Sequence, residues 1–128
     1  MPRPPSAPLT RRESEIMEAL WDHPGATAEE IRAALPRRLH DSTVRTLLRV
    51  LETKGCVRHR LRGKSYLYHA ILPRARAQRH AVRDLLNRFF GGSAEDLVLR
   101  LLENEEITPE QLEAIRRKHD EGANPCSP

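Results

Sequence analysis

Between Asp41 and Lys54 the chain carries two stripes at helical spacing that demand opposite surroundings. Val44, Leu47, Leu48 and Leu51 recur at i, i+3, i+4 and i+7, so one side of a helix there must face a core. Ser42, Arg45, Thr46 and Arg49 recur at the same spacing on the other side, with Thr43 beside them near the N-terminal end. Gly55 is placed to end this helix, and after it the period drops to two. Val57-Arg58-His59-Arg60-Leu61 alternates, Arg62-Gly63-Lys64 supplies a turn, and Tyr66-Leu67-Tyr68-His69 alternates again. The expectation is a helix followed at once by a β-hairpin, with arginines on one face and at its tip. His59 and His69 are free to meet across that hairpin.

Two shorter helices precede this unit. Thr10 with Glu13 is a capping box, followed by Ile16, Met17, Leu20 and Trp21 on one face, and Pro24-Gly25 ends the helix. Thr27 with Glu30 is a second box, opening a helix with Ile31, Ala34 and Leu35 inward and Pro36 as its stop. Beyond Pro73 the pattern is helical throughout: about 74–90, broken by Gly91-Gly92; about 93–103, capped by Ser93; and about 108–120, where Thr108, Pro109 and Gln111 form the start. The Pro-rich segments 1–8 and 122–128 read as a disordered arm and tail. The expected organisation is therefore three helices with a hairpin at 9–72 and a helical domain at 73–121.

Charge divides the chain the same way. Residues 1–80 carry a net +8 and residues 81–128 a net −4, and nine basic residues lie between Arg37 and Lys64 against two acids. A basic half joined to an acidic half is expected where one half meets a polyanion. Only five residues are Trp, Tyr or Phe, leaving little from which to build a ligand pocket. No Gly-rich phosphate loop or nucleophile–base arrangement is present, so an enzyme is not expected. No apolar run approaches the roughly 20 residues needed to cross a bilayer. The start Met1-Pro2-Arg3 has no apolar segment behind it, so the expected location is cytoplasmic. Cys56 and Cys126 make neither a disulfide framework nor a metal cage, and the six histidines lack metal-ligand spacing. Cys56 reads as a small buried residue, and neither cofactor nor metal is expected.

A helix exposing short polar residues and arginines opposite an apolar stripe suits the major groove of B-DNA, about 12 Å wide. The residues facing DNA would be Ser42, Thr43, Arg45, Thr46 and Arg49, with Arg58, Arg60, Arg62 and Lys64 of the hairpin lying along phosphates or in the minor groove. The bland alternative is a solvated edge hairpin whose charges prevent aggregation.

These residues resemble something known. Leu9–Trp21, Ala28–Leu35, Ser42-Thr43-Val44-Arg45-Thr46-Leu47-Leu48 with Lys54-Gly55, Arg60-x-x-Gly63-Lys64 and Tyr66-x-Tyr68 are similar to the penicillinase repressor (BlaI/MecI) family, over residues 9 to about 119. The resemblance implies a mainly α fold: a winged helix-turn-helix DNA-binding domain with a small antiparallel β-wing, followed by a helical dimerisation domain. It implies a homodimer that sits on a palindromic operator and blocks transcription. On that analogy Thr43, Arg45 and Thr46 match the groove-reading positions and Arg60, Arg62 and Lys64 the wing. Antibiotic-resistance members are cleaved at an Asn–Phe bond in the C-terminal helices after a membrane-bound sensor metalloprotease responds. The matching bond here is about Arg100–Leu101, whose residues differ. The copper-responsive branch carries paired Cys-x-Cys motifs, whereas this chain has only Cys126 near its C-terminus.

The acidic half is apolar as well. Val82, Leu85, Leu86, Phe89, Phe90, Leu97, Val98, Leu101, Leu102, Leu112 and Ile115 exceed what three short helices can bury alone, so a second copy is expected to cover them. Two other classes fit the same shape: a ligand- or metal-sensing regulator, and a winged-helix module whose basic face meets an acidic protein.

Overall fold

The computed structural model describes residues 9–123. Along the chain these form α1 (Arg11–Asp22), α2 (Ala28–Ala34), α3 (Asp41–Thr53), β1 (Val57–Arg62), β2 (Ser65–Ala70), α4 (Arg74–Phe89), α5 (Ala94–Glu103) and α6 (Pro109–Ala123). The protein is mainly α, three helices and a two-stranded antiparallel wing followed by three further helices. The chain divides into two compact units inside α4, between Asp84 and Leu85. The first residues of α4 belong with the wing and α1 because Arg74 holds them there. Its Nη2 bonds Glu18 at 3.2 Å and Asp22 at 2.8 Å, and its guanidinium lies over the Trp21 ring at 5.3 Å.

Each start in the first unit forms as the capping chemistry requires. Thr10 and Glu13 exchange backbone-to-side-chain bonds of 2.9 and 3.1 Å, and Thr27 and Glu30 bonds of 2.8 and 3.2 Å. The buried faces of α1, α2 and α3 converge on one core of Ile16, Met17, Leu20, Ile31, Val44, Leu48 and Leu51, closed by Cys56, Val57, Tyr68 and Leu72. Cys56 is fully buried as expected, and burial pushes its thiol up. Gly55 takes φ of 83°, and its N–H and that of Cys56 bond the Glu52 and Leu51 carbonyls, ending α3 tightly enough to start β1 two residues later.

Two features went beyond the sequence reading. Ala26 forms an isolated bridge with Tyr68, so the loop between α1 and α2 is pinned against β2 by bonds of 2.9 and 3.0 Å. The register pairs His59 with Tyr68 and Arg58 with His69. His59 and His69 therefore occupy opposite faces of the hairpin and do not meet, because facing residues of an antiparallel pair share a side and neighbours alternate.

In the second unit, Ser93 caps α5, and Thr108 and Gln111 form the reciprocal box of α6 with bonds of 2.8 and 3.1 Å. The helix α6 continues through Gly122 and Ala123, two residues into the expected tail. The remainder of that tail, including Cys126, and the expected arm at 1–8 lie outside the described residues. Glu105, between α5 and α6, is the one described non-glycine residue with positive φ, at 60°.

Candidate nucleic-acid interface

The exposed side of α3 is a consequence of its buried side. With Val44, Leu48 and Leu51 fully buried, helical geometry turns Ser42, Arg45, Thr46 and Arg49 to solvent, and all four are exposed. Thr43 sits at the edge of the stripe and is half-buried. The N-terminal turn is organised by two residues that the sequence reading passed over. His40 is the N-cap: its Nδ1 accepts the Ser42 N–H at 3.3 Å and lies 2.9 Å from Ser42 Oγ. Asp41 Oδ2 accepts from Arg45 Nε at 2.9 Å. The hydrogen bond to Asp41 raises the Arg45 pKa further above its already high ordinary value, so the guanidinium stays charged.

The wing stands beside this face. Arg62 pairs with Ser65, leaving Gly63-Lys64 as a two-residue turn in which Gly63 has φ of 64°. A positive φ at the first central position matches the primed turns whose twist suits a hairpin. The register sorts the side chains into two faces. Arg58, Arg60 and Arg62 share one face with Ser65, Leu67 and His69. Val57, His59, Leu61, Tyr66, Tyr68 and Ala70 share the other, and this second face is the one that packs on α3. There His59 Nδ1 meets Glu52 Oε1 at 2.7 Å, and the His59 and Tyr66 rings touch edge-on with centroids 4.6 Å apart. Burial pushes the Tyr68 phenol up; Glu52 and Tyr66 add to this, while Arg45 and Arg49 oppose it.

All four basic residues expected on the wing, Arg58, Arg60, Arg62 and Lys64, are exposed. The three arginines occupy the face turned away from α3, and Lys64 sits at the tip. His59, which meets α3, and Tyr66 and Leu61 on the same face of the wing are not among the residues expected to face DNA, yet Tyr66 is 47% and Leu61 65% exposed. Strand alternation was legible, but which face turns toward the helix depends on packing. Such a surface offers bidentate donors and short hydroxyls on a helix and cations on a ribbon, which is chemistry for base edges and phosphates. Among the described residues no group of three or more His, Cys, Asp or Glu could hold a metal ion.

The profile of the penicillinase repressor family matches residues 9–121. The chain belongs to the penicillinase repressor family. It is 26% identical to the penicillinase repressor of Bacillus licheniformis over 118 residues, covering 91% of this chain and 92% of that one. It is 24% identical to the methicillin resistance regulatory protein MecI of Mammaliicoccus sciuri over 110 residues, covering 84% and 89%. A crystal structure of a MarR-family transcription regulator aligns with a TM-score of 0.48 and 24% identity, over 91% of this chain and 76% of that one. A penicillinase repressor family member is a DNA-binding transcriptional repressor and not an enzyme.

Proposed function

We propose that this repressor acts as a homodimer that binds a pseudo-palindromic operator through α3 and the wing and blocks transcription by occupying the promoter. The observation that carries the reading is the α3 surface: Ser42, Arg45, Thr46 and Arg49 exposed in one stripe over a fully buried Val44-Leu48-Leu51 stripe, with the basic wing alongside. Two heads on half-sites about one helical turn apart, roughly 34–36 Å, bind together, and tethering raises the effective concentration of the second.

The chain beyond Leu72 supports the homodimer. None of the described residues after Leu72 is buried. Val82, Leu85, Phe89 and Ile115 are 50%, 38%, 69% and 51% exposed, while Leu86, Phe90, Leu97, Val98, Leu101, Leu102 and Leu112 are half-buried. An apolar set this open is stabilised by a second copy. Release then follows from any signal that separates the copies. Cleavage near Arg100–Leu101, after a membrane sensor metalloprotease responds, is one such route. The bond lies inside α5, where Arg100 also pairs with Glu103 at 3.6 Å, so a protease requires that helix to open first.

Selection of duplexes from a randomised library, followed by a mobility-shift titration with competitor DNA, tests the reading. The expected result is one preferred, near-palindromic sequence retained under competition. Its affinity should fall about 10³–10⁵-fold between 50 and 200 mM salt, for about 6–10 phosphates neutralised. Equal binding to all duplexes, or a flat salt response, would overturn it.

A further inference from the structure

The reading surface of α3 carries an acid at the end that would enter the groove. Asp41 is 43% exposed and Arg45 57% exposed, so their 2.9 Å bond lies in solvent. An exposed i,i+4 pair contributes little to stability. A carboxylate on this face also opposes the approach of phosphates, so stability is a weak reason for it. What the pair does fix is orientation.

A guanidinium presents five N–H groups in a rigid planar fork and can meet guanine O6 and N7 bidentately. It can do so end-on, through Nη1 and Nη2, or side-on, through Nε and one Nη. Here Asp41 occupies Nε. The Arg45 Nη groups bond no acceptor among the described residues, so the terminal edge remains open. Arg49, one turn further along, is exposed and its side chain forms no ion pair among the described residues. The two arginines of the stripe are thus held differently, and the held one lies nearer the helix N-terminus, whose residues reach base edges in helix-turn-helix docking.

We propose that Asp41 is a specificity-determining positioning residue: it holds Arg45 by Nε so that the Nη edge meets a guanine end-on in the major groove. Its carboxylate also disfavours settling on DNA where Arg45 finds no such base, because the uncompensated acid then faces phosphates. The inference rests on the operator-binding reading above and adds a residue that itself need touch no base.

The test uses the full chain and a duplex recovered by selection with the wild type. Affinities are measured for the wild type, Asp41→Asn, Asp41→Ser and Arg45→Ala on three probes: the selected duplex, a scrambled duplex, and the selected duplex with 7-deazaguanine at the guanine whose replacement weakens the wild type most. Loss of N7 should weaken wild-type binding about tenfold and leave Arg45→Ala unaffected. Asp41→Asn should bind the scrambled duplex more tightly and the selected duplex less tightly. Its selectivity should fall about tenfold and its sensitivity to 7-deazaguanine should shrink. Asp41→Ser, uncharged but well suited to a helix start, should behave alike, and unchanged circular-dichroism melting excludes a folding effect. Wild-type selectivity and 7-deazaguanine sensitivity in both Asp41 variants would overturn the proposal while leaving operator binding intact. So would full 7-deazaguanine sensitivity in Arg45→Ala. A selection that returns no preferred duplex would remove both this proposal and the operator-binding reading.

Discussion

At the scale of single residues, Glu13 ties the start of α1 to the end of α3. It is 4% exposed, completes the N-terminal box of α1, and takes the Lys54 ammonium on both oxygens at 2.9 and 3.0 Å. Burial by itself would raise its pKa; the Thr10 N–H and the Lys54 ammonium outweigh that and hold the carboxyl below its ordinary value. A depressed folded-state pKa stabilises above the unfolded value and is lost as pH falls through the folded one. Melting temperature should therefore drop on acidification through the carboxylate range, and Glu13→Gln should flatten that acid limb in a pH series of thermal melts. Lys54→Met leaves the carboxylate buried without its cation and should cost about 2 kcal/mol in urea unfolding. Lys64 sits exposed at the wing tip, where the proposed operator binding puts a phosphate contact. Lys64→Ala should weaken selected and scrambled duplexes alike and lower the salt slope by about 1, which anisotropy titrations at several salt concentrations would show.

At the scale of elements, the helix ends were the most legible part of the chain. Thr10 with Glu13, Thr27 with Glu30 and Thr108 with Gln111 all form the reciprocal bonds their spacing predicts, because a capping box involves only four consecutive residues. The helix α5 ends at Glu103 as expected, but on an unusual residue conformation. There the Glu106 N–H bonds the Leu101 carbonyl at 2.9 Å, which puts Glu105 in the left-handed region where glycine is usual. Glu105→Gly should remove that strain and raise stability by about 1 kcal/mol, read from the midpoint of denaturant unfolding. The His40 cap of α3 was not legible in the same way. Histidine is not a usual N-cap, and its role is set by where the turn from α2 aims the ring.

At the scale of the whole molecule, the contrast is between a first unit that buries its own core and a second in which no described side chain is buried. Phe89, the most exposed of the large apolar residues described, tests what covers that second unit. Phe89→Asp should leave the circular-dichroism spectrum of the first unit in place. It should shift sedimentation toward the monomer and weaken operator binding about 10²- to 10⁴-fold through loss of tethering. A monomeric wild type, or a variant that binds as tightly as the wild type, would sink the dimer reading.

Local pattern alone specified the periods, the stops and the two-sided character of α3, since these depend on spacing within a few residues. It was enough to separate inward Val44, Leu48 and Leu51 from outward Arg45 and Arg49, and to place arginines together on one strand face. Packing decided everything that relates one element to another: that the His59–Tyr66 face of the wing lies against α3 rather than the arginine face, that Ala26 pairs with Tyr68, and that Lys54 reaches Glu13 across 41 residues. The physical reason is that periodicity defines faces only within an element, whereas burial of a shared core selects which faces meet.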